Sequence, residues 1–147
     1  MFNVTVSVEI KRAPGEVFAF AGDYRNDPAW RAGVVEMTLQ EGGSPAVGVT
    51  TRETMRSFGR RAVTVAHITE YGEGRTAFRS ISGPVSCEGM REFVMIPFGT
   101  RMTYSLTLYP KGLLRLIEPL LAVVFRKQVA GDMRRLKDIL ESRNSRD

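Results

Sequence analysis

Glu53, His67, Arg91 and Tyr104 are the residues of this chain from which acid–base or ligand-orienting chemistry can be built. Three of them sit in segments where apolar and polar residues alternate, and the alternation turns them toward the same side as the apolar residues. For the segment holding His67 the choice stays open. Val63, Val65 and His67 compete there with Ala62, Thr64, Ala66 and Ile68, and both sets are apolar enough to face inward. Histidine titrates near neutral pH and can shuttle protons, a carboxylate can take one, and a guanidinium or phenol can donate to an oxygen gathering charge. A buried, unpaired charge is costly, so Glu53, His67 and Arg91 must pair, stay wet or hold something polar. Two readings follow. They orient the polar end of a bound molecule or act as acid and base, or they sit at open strand ends and pair structurally.

Other chemistries fit less well. A serine or cysteine nucleophile would have to rely on the one histidine, and no serine lies in a Gly-x-Ser-x-Gly elbow. Cys87, the sole cysteine, lies within a predicted strand and reads as a small hydrophobe. One histidine and one cysteine leave no metal set, and no cofactor is called for. Asp23 and Asp27 read as a solvated helix face. Gly72-Glu73-Gly74-Arg75-Thr76-Ala77 matches a dinucleotide fingerprint, but a strand pattern follows it where a helix is required, so it reads as a hairpin turn. Arg52, Arg56, Arg60 and Arg61, with Phe58 among them, are a thin basic patch around one hairpin. They make a nucleic-acid partner a poor expectation. The net charge of +5 is met by a solvated surface. The lone cysteine and the absence of a leader-like start at Met1 suggest a cytoplasmic protein.

The elements that must position these residues read as follows. Val4, Val6, Val8 and Ile10 alternate as a first strand. Ala13-Pro14-Gly15-Glu16 opens a short helix to about Gly22, and residues 23–30 form a second short helix or turn. Six strand segments follow: Val34–Gln40, Val47–Phe58, Arg61–Tyr71, Thr76–Ser82, Val85–Ile96 and Arg101–Tyr109, joined by Gly- and Pro-bearing turns. Gly112–Arg143 reads as one long helix with Leu113, Leu116, Leu120, Val124, Met133, Leu136 and Leu140 at helical spacing. Pro119 either kinks it or splits off a short first turn. The 147 residues suit one domain, spanning 1–147, and the class is α+β. A curved antiparallel sheet of seven strands wraps the terminal helix.

In the order and spacing of these pieces the chain resembles the polyketide cyclase/dehydrase and lipid-transport type of the START and birch-pollen-allergen superfamily (SRPBCC, helix-grip fold). The resemblance covers nearly the whole chain. It is carried by Ala13-Pro14-Gly15-Glu16-Val17-Phe18 after the first strand, then Asp23, Pro28 and Trp30, then Ile68-Thr69-Glu70-Tyr71. Gly99-Thr100-Arg101-Met102-Thr103-Tyr104 and Leu136-Lys137-Asp138-Ile139-Leu140-Glu141 complete it. It implies a cavity between sheet and C-terminal helix, with Trp30 near its entrance.

The ligand-binding set expected from alternation and resemblance is Trp30, Val35, Met37, Glu53, Met55, His67, Arg91, Phe93, Tyr104, Leu121, Val124 and Phe125. The expected function is binding or transport of a small hydrophobic or amphipathic molecule, lipid- or polyketide-like. One alternative is a cofactor-independent cyclase or dehydratase, in which His67 or Glu53 is the base for an aldol condensation and Arg91 and Tyr104 serve the enolate oxygen. The other is a protein-interaction module without ligand. Leu113–Phe125 is apolar on more than one side, which suits a homodimer or a transient membrane contact.

Overall fold

The computed structural model describes residues 1–40, 42–57, 59–72 and 74–143. Strand β1 (Phe2–Ile10) leads into α1 (Pro14–Ala21), a single 3-10 turn (Tyr24–Asn26) and α2 (Asp27–Trp30). Six strands follow: β2 (Val34–Leu39), β3 (Thr50–Ser57), β4 (Arg60–Gly72), β5 (Arg75–Ser82), β6 (Ser86–Ile96) and β7 (Gly99–Tyr109). A 3-10 segment (Gly112–Ile117) then precedes α3 (Glu118–Ser142). Pro119 therefore sits in the first turn of α3, where its missing N–H costs nothing, and the shorter 3-10 piece is split off before it.

All seven strands form one antiparallel sheet in the order β1-β7-β6-β5-β4-β3-β2. The first strand closes on the last, with Val4 opposite Leu106 and Val8 opposite Met102. Gly59, at the β3–β4 turn, has φ of 75°, a conformation glycine adopts without strain. Gly89 has another reason to be glycine. A Cβ there would lie 2.5 Å from the Phe78 ring of the neighbouring strand.

The 25 residues of α3 span roughly 37 Å, enough to cross the sheet. Val129, Met133, Leu136 and Leu140 form its buried stripe, packed with Val4, Ile10, Met102 and Leu106 of the two strands beneath and Val17 and Phe20 of α1. A second apolar cluster, Tyr24, Val34, Met37 and Ile68, closes the other end of the sheet. Two α3 side chains reach across to α2. Arg135 donates to the Trp30 carbonyl at 2.8 Å, and Asp132 accepts the Ala32 N–H at 3.1 Å. These bonds satisfy backbone groups at the end of a four-residue helix too short to hold itself.

One expected inward position is overturned here. Val35 lies on the exposed outer face. The β2–β3 register shifts between Val34 and Glu36, and this bulge restores the alternation so that Val34, Met37 and Leu39 face in. Gly72 and Arg75 end β4 and begin β5, so the fingerprint-like stretch is a hairpin, with Glu73 outside the described residues. Arg52, Arg56, Arg60 and Arg61 are exposed, while Phe58, named with them, also lies outside the described residues.

Candidate functional site

The sheet and α3 do not close on each other completely. The cavity between them has a volume of ≈ 140 Å³. One reason for the gap lies in the strand pairing. The β5–β6 ladder runs only from Arg75↔Glu92 to Arg79↔Glu88, whereas β5 stays paired with β4 as far as Ser82. The two strands part beyond that point, where the Cys87 N–H donates to the Ser80 hydroxyl at 2.9 Å. Pro84 and Val85 on this side, and Phe125 on α3, line the cavity.

The walls are mostly apolar. Met37, Met55, Ala66, Phe78, Leu106, Leu108 and Val129 contribute to them, and so does Cys87, whose thiol is pushed up by burial. The polar groups are concentrated in Asp27, Arg31, Glu53, Arg91, Tyr104, Gln128 and Asp132. The centre of this group is an ion network. Arg91 is fully buried and grips Asp27 with both terminal nitrogens, at 3.0 and 2.7 Å, while also donating to the Ala21 carbonyl. Its guanidinium lies 4.6 Å from the Tyr24 ring centre and 5.0 Å from those of Trp30 and Tyr104. Such a box of aromatic faces favours a desolvated cation. Arg31 bridges Asp27 at 3.0 Å and Glu53 at 2.6 Å. Burial works against the charge of Arg31, but Tyr104, Glu53 and Asp27 outweigh it and hold it firmly protonated. Burial raises the Tyr24 phenol to about 12, against the pull of Arg91, and its hydroxyl bonds Thr76 at 2.8 Å. Two cations against two carboxylates leave this network neutral.

Asp132 stands apart from it. Its Oδ1 accepts from Ala32 and from Arg135, the latter at 3.2 Å. Burial lifts this carboxyl above the ordinary aspartate value of 3.8, against the pull of the Ala32 N–H, Arg31 and Arg135. The folded chain thus holds this proton more tightly than the unfolded one. Its contribution to stability is full below the ordinary value and is lost as pH rises through the raised one. Asp132→Asn keeps an oxygen for both bonds. It is expected to flatten that part of the pH profile of urea-denaturation stability, measured from about pH 4 upward. An unchanged slope would show that Asp132 titrates normally.

The structure divides the expected site residues. Met37, Met55, Glu53, Tyr104 and Phe125 line the cavity. Arg91 and Trp30 stand in its wall, but Arg91 has no accessible surface and both terminal nitrogens are committed, so it holds the site rather than a ligand. Trp30 is buried against Arg91 and edge-on to Tyr104, not at an entrance. Four further expectations, His67, Phe93, Val124 and Leu121, are corrected along with Val35. His67 lies on the exposed outer face, its Nδ1 3.1 Å from the Thr50 hydroxyl, because Thr64, Ala66 and Ile68 take the inner face of β4. An aldol mechanism based on His67 is therefore excluded. Phe93 is core, edge-on to Phe18 of α1, which fills that end of the fold. Val124 faces outward, since it lies on the side of α3 opposite the Val129–Leu136 stripe. Leu121 is half-buried and is not among the cavity-lining residues.

Sequence reasoning missed Asp27, Arg31, Gln128 and Asp132. Asp27, read as solvated, is fully buried. Two signals were present. Asp27 and Arg31 are spaced for an i, i+4 pair, and Asp132 falls between Val129 and Met133 on an otherwise apolar stripe.

No curated protein matches the chain in sequence. Among solved structures, TTHA0849 from Thermus thermophilus superposes with a TM-score of 0.82 at 18% identity, covering 96% of this chain and 98% of that one. The Zhui aromatase/cyclase from a Streptomyces species gives 0.77 at 14% identity, covering 97% and 94%. A START superfamily protein from Mycobacterium smegmatis gives 0.67 at 16% identity, covering 96% and 95%. At these identities the likeness is one of fold, the helix grip. The family model described as polyketide cyclase / dehydrase and lipid transport matches residues 1–141, and the chain belongs to that family.

Proposed function

We propose that this protein binds a small apolar or amphipathic molecule in the cavity between its sheet and α3. The observation that carries this reading is the cavity itself, largely apolar, with Pro84, Val85 and Cys87 beside the β5–β6 gap in its wall. Its volume of ≈ 140 Å³ suits a ring system or short chain rather than a two-tailed lipid. Arg31, Tyr104, Gln128 and Asp132 are the polar groups available to orient such a molecule. The family description, which includes lipid transport, supports the same reading.

Cys87 gives a direct test, being the sole cysteine and part of the cavity wall. Labelling by dithiobis(nitrobenzoate) is expected to be slow. The neutral fluorophore N-phenyl-1-naphthylamine should slow it further, by about tenfold at ten times its Kd if the occupied form is protected. A labelling rate indifferent to the fluorophore would sink the reading.

A second reading, cyclase or dehydratase activity, is favoured by Asp132, a buried carboxyl with raised proton affinity in the same wall. It would pair Asp132 with the Tyr104 hydroxyl as proton carrier and donor. In that case Asp132→Asn abolishes turnover of a poly-β-ketone substrate while leaving fluorophore binding intact.

A further inference from the structure

The start of the closing helix is covered by nothing in the fold. Leu113 is 83% exposed, Leu116 79% and Leu120 61%, and Ile117, Val123 and Val124 are exposed beside them. On α3, Leu120, Val123, Val124 and Lys127 fall within an arc of about 100° on the side away from Val129 and Leu136. Scattered surface leucines need no explanation. Six large apolar residues within one twelve-residue stretch do.

We infer that this face docks on an anionic phospholipid bilayer. Lys111, Arg115, Arg126 and Lys127 are all exposed in or beside the same stretch. Against these four cations the stretch carries one acid, Glu118. Leucines at the tip with cations around them match the acyl–headgroup boundary of an anionic leaflet, where each Lys or Arg strengthens attachment. A second copy of this chain fits less well, because a two-fold contact would press the same four cations against each other. The contact is interfacial, since among the described residues no helix is long and apolar enough to cross a membrane.

The position of the patch supplies its purpose. One helical turn beyond Leu121, Phe125 and then Gln128 line the cavity, with Pro84 and Val85 also in its wall. A bilayer against Leu116 and Leu120 lies within about two helical turns of the cavity-lining Phe125, so an apolar ligand passes between membrane and cavity with little exposure to water. That purpose rests on the ligand-binding reading. The docking geometry does not, and the two fail separately.

Co-sedimentation of the full chain with vesicles of equimolar phosphatidylcholine and phosphatidylglycerol tests it, with pure phosphatidylcholine vesicles as control. Binding is expected to be at least about tenfold tighter to the anionic vesicles. It should weaken steeply between ~0.1 M and ~1 M salt, as the Debye length falls from about 10 to 3 Å. Lys111→Gln with Arg115→Gln should lower anionic-vesicle binding by roughly 25-fold, about fivefold per cation. Leu116→Ser with Leu120→Ser, at exposed sites where the melting temperature should hold, should remove it. Equal binding to both vesicle types, or binding that survives the leucine changes, would overturn the inference. So would a dimer in analytical ultracentrifugation that the leucine changes dissolve.

Discussion

Asp27→Ala is expected to destabilise the fold by about 3–5 kcal/mol, the cost of leaving a buried charge without its partner. Asp27 and Arg91 have essentially no accessible surface, and Asp27 takes both terminal nitrogens of Arg91 and one of Arg31. Removing the carboxylate leaves Arg31 its bond to Glu53, but leaves Arg91 only the Ala21 carbonyl and three aromatic faces. For a chain of this size the midpoint should fall by roughly 8–16 °C. Urea denaturation of the single variant and of Asp27→Leu/Arg91→Met checks the cause. The double change removes both charges, so it should recover most of the loss. If the double variant is as unstable as the single one, packing rather than charge is what Asp27 provides.

The second large effect concerns the cavity. Ala66→Phe places a ring into it from β4, where Ala66 lines the wall and is nearly inaccessible from outside. The ring should occupy the space of several waters and lower N-phenyl-1-naphthylamine affinity by at least about tenfold. Because it fills a void, its stability cost should stay below the usual 1–3 kcal/mol of overpacking. Val35→Phe is the control. Although adjacent to a buried position, Val35 faces solvent, and its enlargement should leave binding unchanged. Loss of binding in both variants, or in neither, would place the fluorophore elsewhere.

These two variants act at different layers of one site. The Asp27–Arg91 pair and its aromatic box tie α2 to β6, and through the Arg135 and Asp132 bonds α2 is tied to α3. The ion network therefore sets the spacing between sheet and helix on which the cavity depends.

Local patterns were sufficient for the architecture. Alternation in Val4–Ile10 and Met102–Leu108, turn residues between strands and the helical spacing of Val129–Leu140 each follow from periods set by backbone geometry. Alternation also placed Glu53, Met55 and Tyr104 on the inner face, since β3 and β7 run without interruption there. It failed at Val35, where a bulge adds a residue, and at His67, where both parities were apolar enough. The spacing of Leu113, Leu116, Leu120 and Val124 showed an apolar helix but not which side met the sheet. That depended on the rotation set by Val129, Met133 and Leu136 against β1 and β7. Only the tertiary structure joined Asp27 to Arg91, 64 residues apart, or brought Asp132 of α3 to Ala32. A period along the chain is a local property, whereas the partner of a buried charge is chosen by whatever distant segment packs against it.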